Sequence, residues 1–436
     1  MTPLTRRTFL AAAPAAAPAA AAVTGDKPAL KGGKKTRTQP FAAWPRFDQK
    51  EENALIEVLK SGKWYRGNGT FVKKFEESYS SLTGAKHCLA TTNGTSALII
   101  SLDALGVGPG DEVLIPPYTF IATVNSVIRH HALPVFVDSD AATFQMDHRK
   151  VEAAINGNTR AIMPVHVAGG IGNLDAFVSI AAKHKIPLIE DACQAHLSEW
   201  KGRKVGTYGD AGCFSFQASK NLTSGEGGAI LFKDEDARER AYAFHNNGSG
   251  LKFIGANFGY SSSGANMRMP EFQAAILLQQ MTRLEGQVRT RTENANYLTS
   301  LLKQIPGITP ATSGDGCTNN ARHLFMLRYD AKAFGGLKRE VFLKAMAAEG
   351  IPCSGGYSPL NSQQFIKTVL ASRGYQRLFS AKRLNEWAEQ NQCPVNDKIC
   401  SEAVWFTQNM LLGPRTDMEQ IADAVRKIQK FAGELA

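Results

Sequence analysis

FSFQASKNLTSGEGG, residues 214–228, places a lysine between an apolar, strand-like run and a glycine-rich turn. Ser215 lies five residues before Lys220, and Ser219 directly precedes it. A lysine attacks a carbonyl only as the neutral amine, and a sheltered, electropositive site favours that form. Lys220 is therefore the candidate reactive residue. The alternative is a solvated loop lysine. The other segments of the sequence are needed to distinguish these two interpretations.

Upstream of this stretch, short apolar runs alternate with amphipathic segments. Such alternation predicts an α/β fold with a largely parallel sheet and helices on both faces. Ligands bind at the carboxyl ends of the strands in sheets of this kind. The predicted strands cover residues 113–115, 135–137, 161–165 and 187–189, and the predicted helices cover 120–130, 149–155 and 173–184.

Downstream, apolar positions spaced three and four apart predict one long helix over residues 270–302. The sequence then changes to the pattern of a smaller α+β unit. We therefore predict a leader at residues 1–40, a large domain at 41–290 and a small C-terminal domain at 291–436. The small domain is expected to contain a strand at 324–329, helices at 339–349 and 418–431, and a loop at 351–359 rich in Pro, Gly and Cys.

TNGTSAL, residues 92–98, places small polar residues at the start of a helix predicted to run to about Leu105. The free N–H groups and the dipole of a helix start can hold a phosphate, and Thr95 and Ser96 add hydroxyl donors. The alternative is an ordinary helix cap. Neither a G-x-G-x-x-G fingerprint nor a G-x-x-x-x-G-K-[ST] loop occurs in the chain.

Two further segments follow predicted strands. In IEDACQ, residues 189–194, Asp191 could pair with a protonated pyridine nitrogen and keep the ring an electron sink. In PYTF, residues 117–120, an aromatic ring could stack on a planar cofactor. Taken alone, the acid could equally cap a helix and the aromatic ring could belong to the core.

The composition excludes several other classes of protein. The formal net charge is +11, but residues 1–40 contribute seven Lys and Arg against the single Asp26. No clustered basic face remains, so nucleic-acid binding is not indicated. Seven cysteines without C-x-x-C spacing indicate neither a disulfide framework nor a zinc site, and no metal is expected.

The leader has the layout of a twin-arginine export signal. TRRTFL at residues 5–10 precedes a mildly apolar run of Ala and Pro that extends to Val23. This run is too weakly apolar and too interrupted by proline to span a membrane. We therefore expect export to the periplasm. The alternative is a disordered Ala/Pro tail on a cytoplasmic protein.

Seven segments together resemble, in order and spacing, the DegT/StrS family of pyridoxal phosphate-dependent sugar aminotransferases, across roughly residues 44–436. The sequences of these segments are most similar to those of the glutamine:scyllo-inosose aminotransferases and the aminohydroxybenzoate synthases. The resemblance implies fold type I, with a large domain, a small C-terminal domain and a homodimer with its sites at the interface. The segments are GTSAL, PPYTFIATVNSV, PVFVDSDAATF, MPVHVAG, EDACQAH, GDAGCFSFQASKNLTSGEGG and GANMRMPEFQAA.

The same resemblance assigns roles to residues. Lys220 would bind pyridoxal 5'-phosphate as a Schiff base and then move the proton of the donor's α-carbon. Asp191 would hold the pyridine nitrogen, and His323 is a candidate substrate contact whose alternative is a packed histidine at a strand end. The other expected cofactor contacts are Phe120 stacked on the ring, Gln194 beside the ring oxygen, Gly94, Thr95, Ser96 and Ser215 at the phosphate, and Asn266 of the partner subunit, also at the phosphate.

The expected reaction is a ping-pong transamination in which glutamate or glutamine aminates the cofactor and a keto-sugar or keto-cyclitol then takes the amine. One alternative keeps the cofactor but dehydrates or aromatises the substrate, as in aminohydroxybenzoate formation. Another is a non-catalytic sensor on the same scaffold. Family members with histidine in place of the lysine are dehydratases, and Lys220 argues against that branch. An export signal is unexpected for this family and leaves the substrate open.

Overall fold

The computed structural model describes residues 27–251 and 259–436. The twin-arginine motif at residues 5–10 lies outside the described residues. The helices are α1 Gln49–Ser61, α2 Phe71–Thr83, α3 Gly94–Ala104, α4 Ile121–Arg129, α5 Val151–Ala154, α6 Leu174–His184, α7 Glu235–His245, α8 Glu271–Leu302, α9 Arg339–Ala348, α10 Gln364–Leu370, α11 Arg373–Leu378, α12 Ala381–Gln390, α13 Pro394–Glu402, α14 Arg415–Lys430 and α15 Ala432–Leu435. The strands are β1 His87–Thr91, β2 Glu112–Ile115, β3 Leu133–Phe136, β4 Thr159–Ile162, β5 Ile189–Asp191, β6 Glu199–Trp200, β7 Arg203–Lys204, β8 Ala211–Ser215, β9 Gly228–Phe232, β10 Ile308–Pro310, β11 Cys317–Asn319, β12 Leu324–Tyr329 and β13 Ala403–Thr407.

The main sheet has the strand order β3-β2-β4-β5-β8-β9-β1. Hydrogen bonds pair the strands within β3-β2-β4 and within β5-β8-β9-β1, and parallel bridges from Ile162 to Leu188 and from Val165 to Asp191 join the two groups. Strand β9 is antiparallel to both of its neighbours, whereas β3, β2, β4, β5 and β8 are parallel. The predicted α/β class with a mostly parallel sheet is therefore confirmed.

The central strands follow the predicted apolar runs closely, with shifts at their ends. Strands β2 and β3 are buried along their whole length, as expected where helices cover both faces of a sheet. Strand β5 begins two residues later than predicted, because Pro187 has no N–H and the Leu188 N–H donates to Oδ2 of Asp210 at 2.9 Å. The Pro187 carbonyl still accepts from the Ile162 N–H at 3.0 Å. Asp191 ends β5, so its carboxylate lies at the carboxyl edge of the sheet.

A second apolar cluster forms around the antiparallel sheet β10-β12-β13 and includes Phe325, Phe406 and Ile421. Helix α8 connects this cluster to the main sheet, because Leu298 packs in the cluster and Leu277 packs with Phe214 of β8 and Leu231 of β9. The predicted domain boundary at residue 290 thus falls inside one continuous helix. The division into domains stays a prediction.

Helices α10, α11 and α12 pack against the edge of the main sheet, although the sequence analysis places them in the small domain. Trp387 Nε1 donates to the Pro134 carbonyl at 2.6 Å, and the Tyr375 hydroxyl donates to the Ala132 carbonyl at 2.8 Å. Arg383 forms a 2.6 Å ion pair with the buried carboxylate of Glu112. These contacts cover edge strand β3, which would otherwise expose unpaired backbone groups.

The segment at residues 27–43, most of which the sequence analysis assigns to the leader, packs against the C-terminal cluster. Glu349 accepts from the backbone N–H of Ala29 at 2.8 Å and of Thr36 at 2.9 Å. Arg37 is buried and forms a 2.7 Å ion pair with Asp417 on α14. Ordered structure therefore begins well before residue 41, because these polar groups fix the chain to the folded body.

Candidate active site

A cavity of about 1240 Å³ opens at the carboxyl ends of strands β2, β5 and β8 and is closed on one side by strands β12 and β13. The chain segments that follow these main-sheet strands form its floor, as expected for a sheet of this kind. Nine of the ten predicted site residues line it: Gly94, Thr95, Ser96, Phe120, Asp191, Gln194, Ser215, Lys220 and His323.

Asn266 is the predicted residue that does not line this cavity. It forms an antiparallel bridge with Asn246. Its predicted place is the site of the partner subunit, and that assignment stays a prediction.

Lys220 lies in a tight loop after β8, and its N–H donates to the Gln217 carbonyl at 2.8 Å. The loop is held from outside the sheet, because Trp44 Nε1 donates to the Ala218 carbonyl at 3.0 Å. Burial lowers the pKa of the Lys220 amine, and Cys193 and Asp191 offset part of that effect. The lowered pKa favours the neutral, nucleophilic form of the amine.

Asp191 is buried and held by a chain of hydroxyl groups. The Thr123 hydroxyl donates to Oδ2 of Asp191 at 2.8 Å, and Thr119 Oγ1 lies 2.8 Å from Thr123 Oγ1. Because Thr123 uses its proton on the carboxylate, Thr119 must be the donor to Thr123. This arrangement fixes the carboxylate rotamer at the cavity floor.

The start of helix α3 leaves donors free for an anion. Asn93 caps the helix by accepting from the Ser96 N–H at 2.8 Å. Across residues 27–251 and 259–436, the N–H groups of Gly94 and Thr95 and the hydroxyl of Thr95 have no protein partner. A Cβ at Gly94 would lie 2.6 Å from Cβ of Ser215, so only glycine lets the helix start approach β8 this closely.

Gln194 is fixed at both ends of its amide. Its Oε1 accepts from the Ala168 N–H at 2.7 Å, and its Nε2 donates to the Tyr357 hydroxyl at 2.9 Å. The Tyr357 ring packs edge-on against Trp405 with centroids 4.6 Å apart, and both rings line the cavity. Neither aromatic residue was predicted from the sequence, since Tyr357 lies in a loop and Trp405 in an unpredicted strand.

A buried cation, not predicted from the sequence, lies behind the cavity wall. Arg291 of α8 is fully buried, and its Nε and Nη2 both donate to Oε1 of Gln408, at 2.8 Å and 2.5 Å. Its guanidinium carbon lies 5.1 Å from the ring centroid of Trp44. Burial, together with Arg46, lowers the pKa of Arg291 to about 9. Trp44 and Gln408 line the cavity.

His323 is buried at the start of β12, and its Nδ1 lies 3.2 Å from Oδ1 of Asn221. Burial lowers the pKa of His323 well below 6.5, and the positive charge of Lys220 acts in the same direction. The imidazole is therefore neutral at physiological pH. The predicted role as a substrate contact and the alternative of a packed histidine both fit this position.

The residues at this cavity fit pyridoxal phosphate. A partly neutral lysine, a fixed carboxylate and a helix start with free donors are the groups needed for its aldehyde, its pyridine nitrogen and its phosphate. Residue 94 is a glycine because a Cβ would clash with Ser215, and no side chain at this position therefore covers the donors.

All seven cysteines are free thiols. Residues 27–251 and 259–436 contain no cluster of three or more His, Cys, Asp or Glu that could hold a metal ion. In the same ranges, the helices are all too short or too polar to cross a membrane.

Comparison with known proteins places this geometry in a family. Residues 45–426 match the DegT/DnrJ/EryC1/StrS aminotransferase family. The L-glutamine:2-deoxy-scyllo-inosose aminotransferase of Streptoalloteichus tenebrarius is 34% identical over 420 residues, covering 93% of this chain and 98% of that protein. The 3-amino-5-hydroxybenzoate synthase of Amycolatopsis mediterranei is 34% identical over 391 residues, covering 89% and 98%.

Among solved structures, a 3-amino-5-hydroxybenzoic acid synthase superposes with a TM-score of 0.80 at 34% identity, covering 90% of this chain and 100% of that one. The predicted family, the fold, the cofactor and the enzymatic nature of the protein are confirmed by these matches. The chain belongs to the DegT/DnrJ/EryC1/StrS family and is a pyridoxal phosphate-dependent aminotransferase.

Proposed function

We propose that this aminotransferase moves an amino group from L-glutamine to the keto group of a cyclitol. The observation that carries the proposal is the meeting of Lys220 and Asp191 in one cavity, the first with a lowered pKa and the second fixed by Thr123. The choice of substrates rests on the relative from Streptoalloteichus tenebrarius, whose name specifies L-glutamine and a keto-cyclitol.

The site residues have distinct roles in this reaction. Pyridoxal phosphate supplies, when bound, the carbonyl group that exchanges with the donor's amine. Nζ of Lys220 holds the cofactor and, as a neutral amine, takes the proton from the donor's α-carbon. Asp191 keeps the pyridine nitrogen protonated, and the start of α3 with Ser215 binds the phosphate. Phe120 and Gln194 border the ring.

The reaction balances without an external oxidant. The donor's α-carbon is oxidised from amine to ketone, and the acceptor's carbonyl carbon is reduced to an amine. Two half-reactions share one site, so the cavity has to admit first the amino acid and then the cyclitol. Tyr357, Trp405 and His323 form the side of the cavity away from the sheet and are proposed to contact both substrates.

Incubation of the pure, cofactor-loaded enzyme with L-glutamine and scyllo-inosose or its 2-deoxy form tests the proposal. Mass spectrometry should find the aminocyclitol together with the 2-oxo acid of glutamine in equal amounts. A thymidine diphosphate keto-sugar serves as the competing acceptor. Conversion of that sugar alone would contradict the cyclitol assignment, and conversion of neither would contradict the donor–acceptor pair.

A second candidate function is formation of an aminohydroxybenzoate, as the name of the Amycolatopsis mediterranei relative states for that protein. The superposition at a TM-score of 0.80 over the whole of a synthase chain supports it. The two functions separate cleanly, since only this one gives an aromatic product with ultraviolet absorbance. Absorbance growth with a keto-cyclohexene carboxylate and none with a cyclitol would favour the second function.

We also propose that the active form is a homodimer in which Asn266 reaches the phosphate of the partner's site. A row of exposed apolar side chains supports a subunit contact: Ile56 and Leu59 lie one turn apart on α1, and Trp64 Nε1 donates to the Leu59 carbonyl at 3.2 Å. Half or more of the Leu59 and Trp64 surfaces is exposed, at 56% and 50%. Apolar surface of this kind commonly marks an interface.

Two further proposals concern the domain division and the export of the protein. The division into a large domain at 41–290 and a small domain at 291–436 is supported by separate apolar clusters at the main sheet and at the sheet β10-β12-β13, although α10 to α12 pack with the main sheet. Export through the twin-arginine motif is supported by residues 5–10 alone. Replacement of Arg6 and Arg7 by lysine should retain the protein in the cytoplasm, and an unchanged distribution would contradict export.

A further inference from the structure

His323 and Gln408 are neighbours at the end of the small sheet that faces the cavity. Strands β12 and β13 are antiparallel, and Leu324 pairs with Thr407 as the last pair of the ladder. His323 directly precedes Leu324 and Gln408 directly follows Thr407, so both residues lie where the two strands end together. Both residues line the cavity, and the charge of Lys220 acts on His323. Arg291 bonds Gln408 and its charge also acts on His323, so both polar side chains border the same part of the cavity.

The orientation of the Gln408 amide is fixed by Arg291. Two guanidinium N–H groups donate to Oε1, so the oxygen faces Arg291 and Nε2 faces away from it. In the described chain no protein acceptor takes the Nε2 protons. Since Gln408 lines the cavity, Nε2 is presented there as a hydrogen-bond donor.

The tautomer of His323 is fixed in a similar way by Asn221. Nδ2 of Asn221 donates to the Ala321 carbonyl at 2.7 Å, so its Oδ1 is the atom that meets His323 Nδ1 at 3.2 Å. A carbonyl oxygen only accepts, so Nδ1 holds the proton of the neutral ring. Nε2 of His323 then has a lone pair, and no described residue donates to it.

One donor beside one acceptor complements a primary carboxamide, which has a carbonyl oxygen and an N–H group side by side. A carboxylate offers two acceptors and would set an oxygen against the His323 lone pair. We propose that Gln408 and His323 together recognise the side-chain carboxamide of L-glutamine and reject L-glutamate, with Arg291 and Asn221 as positioning residues. This inference rests on the proposed donor half-reaction.

The distant charge of Arg291 would by itself attract a glutamate carboxylate. The guanidinium does not contact a substrate directly, however, because Nε and Nη2 donate to Oε1 of Gln408 and Nη1 is buried away from solvent. Loss or gain of a direct hydrogen bond at the contact decides selectivity more strongly than a charge behind the wall, since unpaired polar groups in a closed site are costly.

The test compares three amino acids in the donor half-reaction of cofactor-loaded enzyme: L-glutamine, L-glutamate and L-norvaline, which has no carboxamide. Each value is a ratio of kcat/KM within one protein, so partial loss of folding or of cofactor cancels. Gln408→Glu keeps a hydrogen-bonded partner for Arg291 but removes the amide donor. The glutamine/norvaline ratio should fall by about tenfold or more, mainly through KM.

Asn221→Asp should change the specificity in favour of L-glutamate. A carboxylate at Nδ1 favours the imidazolium, so Nε2 of His323 becomes a donor and the site presents two donors to a carboxylate. The glutamate/glutamine ratio should rise by about tenfold or more. Gln420→Glu is the matched control, because Gln420 also accepts from an arginine, Arg37 Nη1 at 2.5 Å, but does not line the cavity.

The results separate this inference from the function on which it rests. A wild type that reacts with none of the three amino acids overturns the proposed donor half-reaction. A wild type that reacts with glutamine, together with both variants within twofold of wild-type ratios, overturns the inference alone. Unchanged donor ratios together with a raised KM for the cyclitol would also overturn it, because Gln408 and His323 would then bind the acceptor and not the donor.

Discussion

The hydroxyl of Thr123 on helix α4 donates a 2.8 Å hydrogen bond to Oδ2 of Asp191 at the end of strand β5. Helix α4 follows strand β2, so the bond joins that helix to the end of strand β5 at the cavity floor. Thr123→Val removes the donor at nearly constant volume. A hydrogen bond to a charged group contributes roughly 1.5–3 kcal/mol, so the donor half-reaction should slow by about tenfold to a hundredfold.

Stopped-flow absorbance measures that rate, and thermal unfolding checks the fold. Thr119→Val should slow the reaction less, because it leaves the Thr123 bond to Asp191 in place. Equal rates for Thr123→Val and the wild type would show that the carboxylate needs no such support.

The close approach of Gly94 to Ser215 predicts a selective loss of cofactor binding. In Gly94→Ala the new Cβ would lie 2.6 Å from Cβ of Ser215 and 3.1 Å from Sγ of Cys193. Overpacking of this kind costs about 1–3 kcal/mol and displaces the helix start that binds the phosphate. Equilibrium dialysis should show cofactor affinity reduced by at least about fivefold. Gly108→Ala, which meets no neighbour within 4 Å, is the control.

The contact between Glu349 and the segment at residues 27–43 predicts a dependence on pH. Burial opposes ionisation of Glu349, but bonds from Ala29, Thr36 and Lys427 outweigh it and leave the pKa of the carboxyl below its usual 4.5. A carboxyl whose pKa is lower in the folded state stabilises that state at any pH above its unfolded-state pKa. This stabilisation is lost as the pH falls through the folded-state pKa. The segment should therefore become sensitive to protease below about pH 4.5.

Glu349→Gln should make the segment sensitive at neutral pH and flatten the change in the acidic window. The lost bonds correspond to roughly 1.5–3 kcal/mol of unfolding free energy. An unaltered acid profile in this variant would assign the pH dependence to another group.

Mixed dimers test the placement of Asn266. Lys220→Ala and Asn266→Ala each inactivate their own homodimer on our account. In a heterodimer of the two, one site combines the intact Lys220 of one subunit with the intact Asn266 of the other. Activity should return to about a quarter of wild type in a randomly mixed 1:1 sample, because half of the dimers are mixed and each has one intact site. Absence of recovery would place Asn266 within its own subunit's site.

Sequence patterns predicted the secondary-structure positions of several candidate residues, because strand ends and helix starts are encoded locally; the roles of these residues stay predictions. Asp191 ends β5 and Gly94 begins α3, each within a few residues of an apolar run that the pattern identifies. Dispersed family motifs added Gln194, Ser215 and Phe120, which now line the same cavity.

The contacts that sequence patterns missed join distant parts of the chain. Trp387 meets Pro134 across 253 residues, and Arg37 meets Asp417 across 380. No local period encodes such pairs, since each side chain looks like an ordinary helical or loop residue in its own segment. Arg291 is a further example. In a helical pattern an arginine indicates a solvent-exposed face, whereas Arg291 is fully buried and contacts Gln408 and Trp44.

The visible spectrum of the purified enzyme and of Lys220→Ala, before and after L-glutamine is added, tests the central claim most directly. The wild type should show the absorbance of lysine-linked pyridoxal phosphate, and that band should disappear as the cofactor takes up the amine. The variant should lack the lysine-linked band and should turn over at least about a thousandfold more slowly. A wild type without the band, or a variant that transfers the amine at the wild-type rate, would contradict the account.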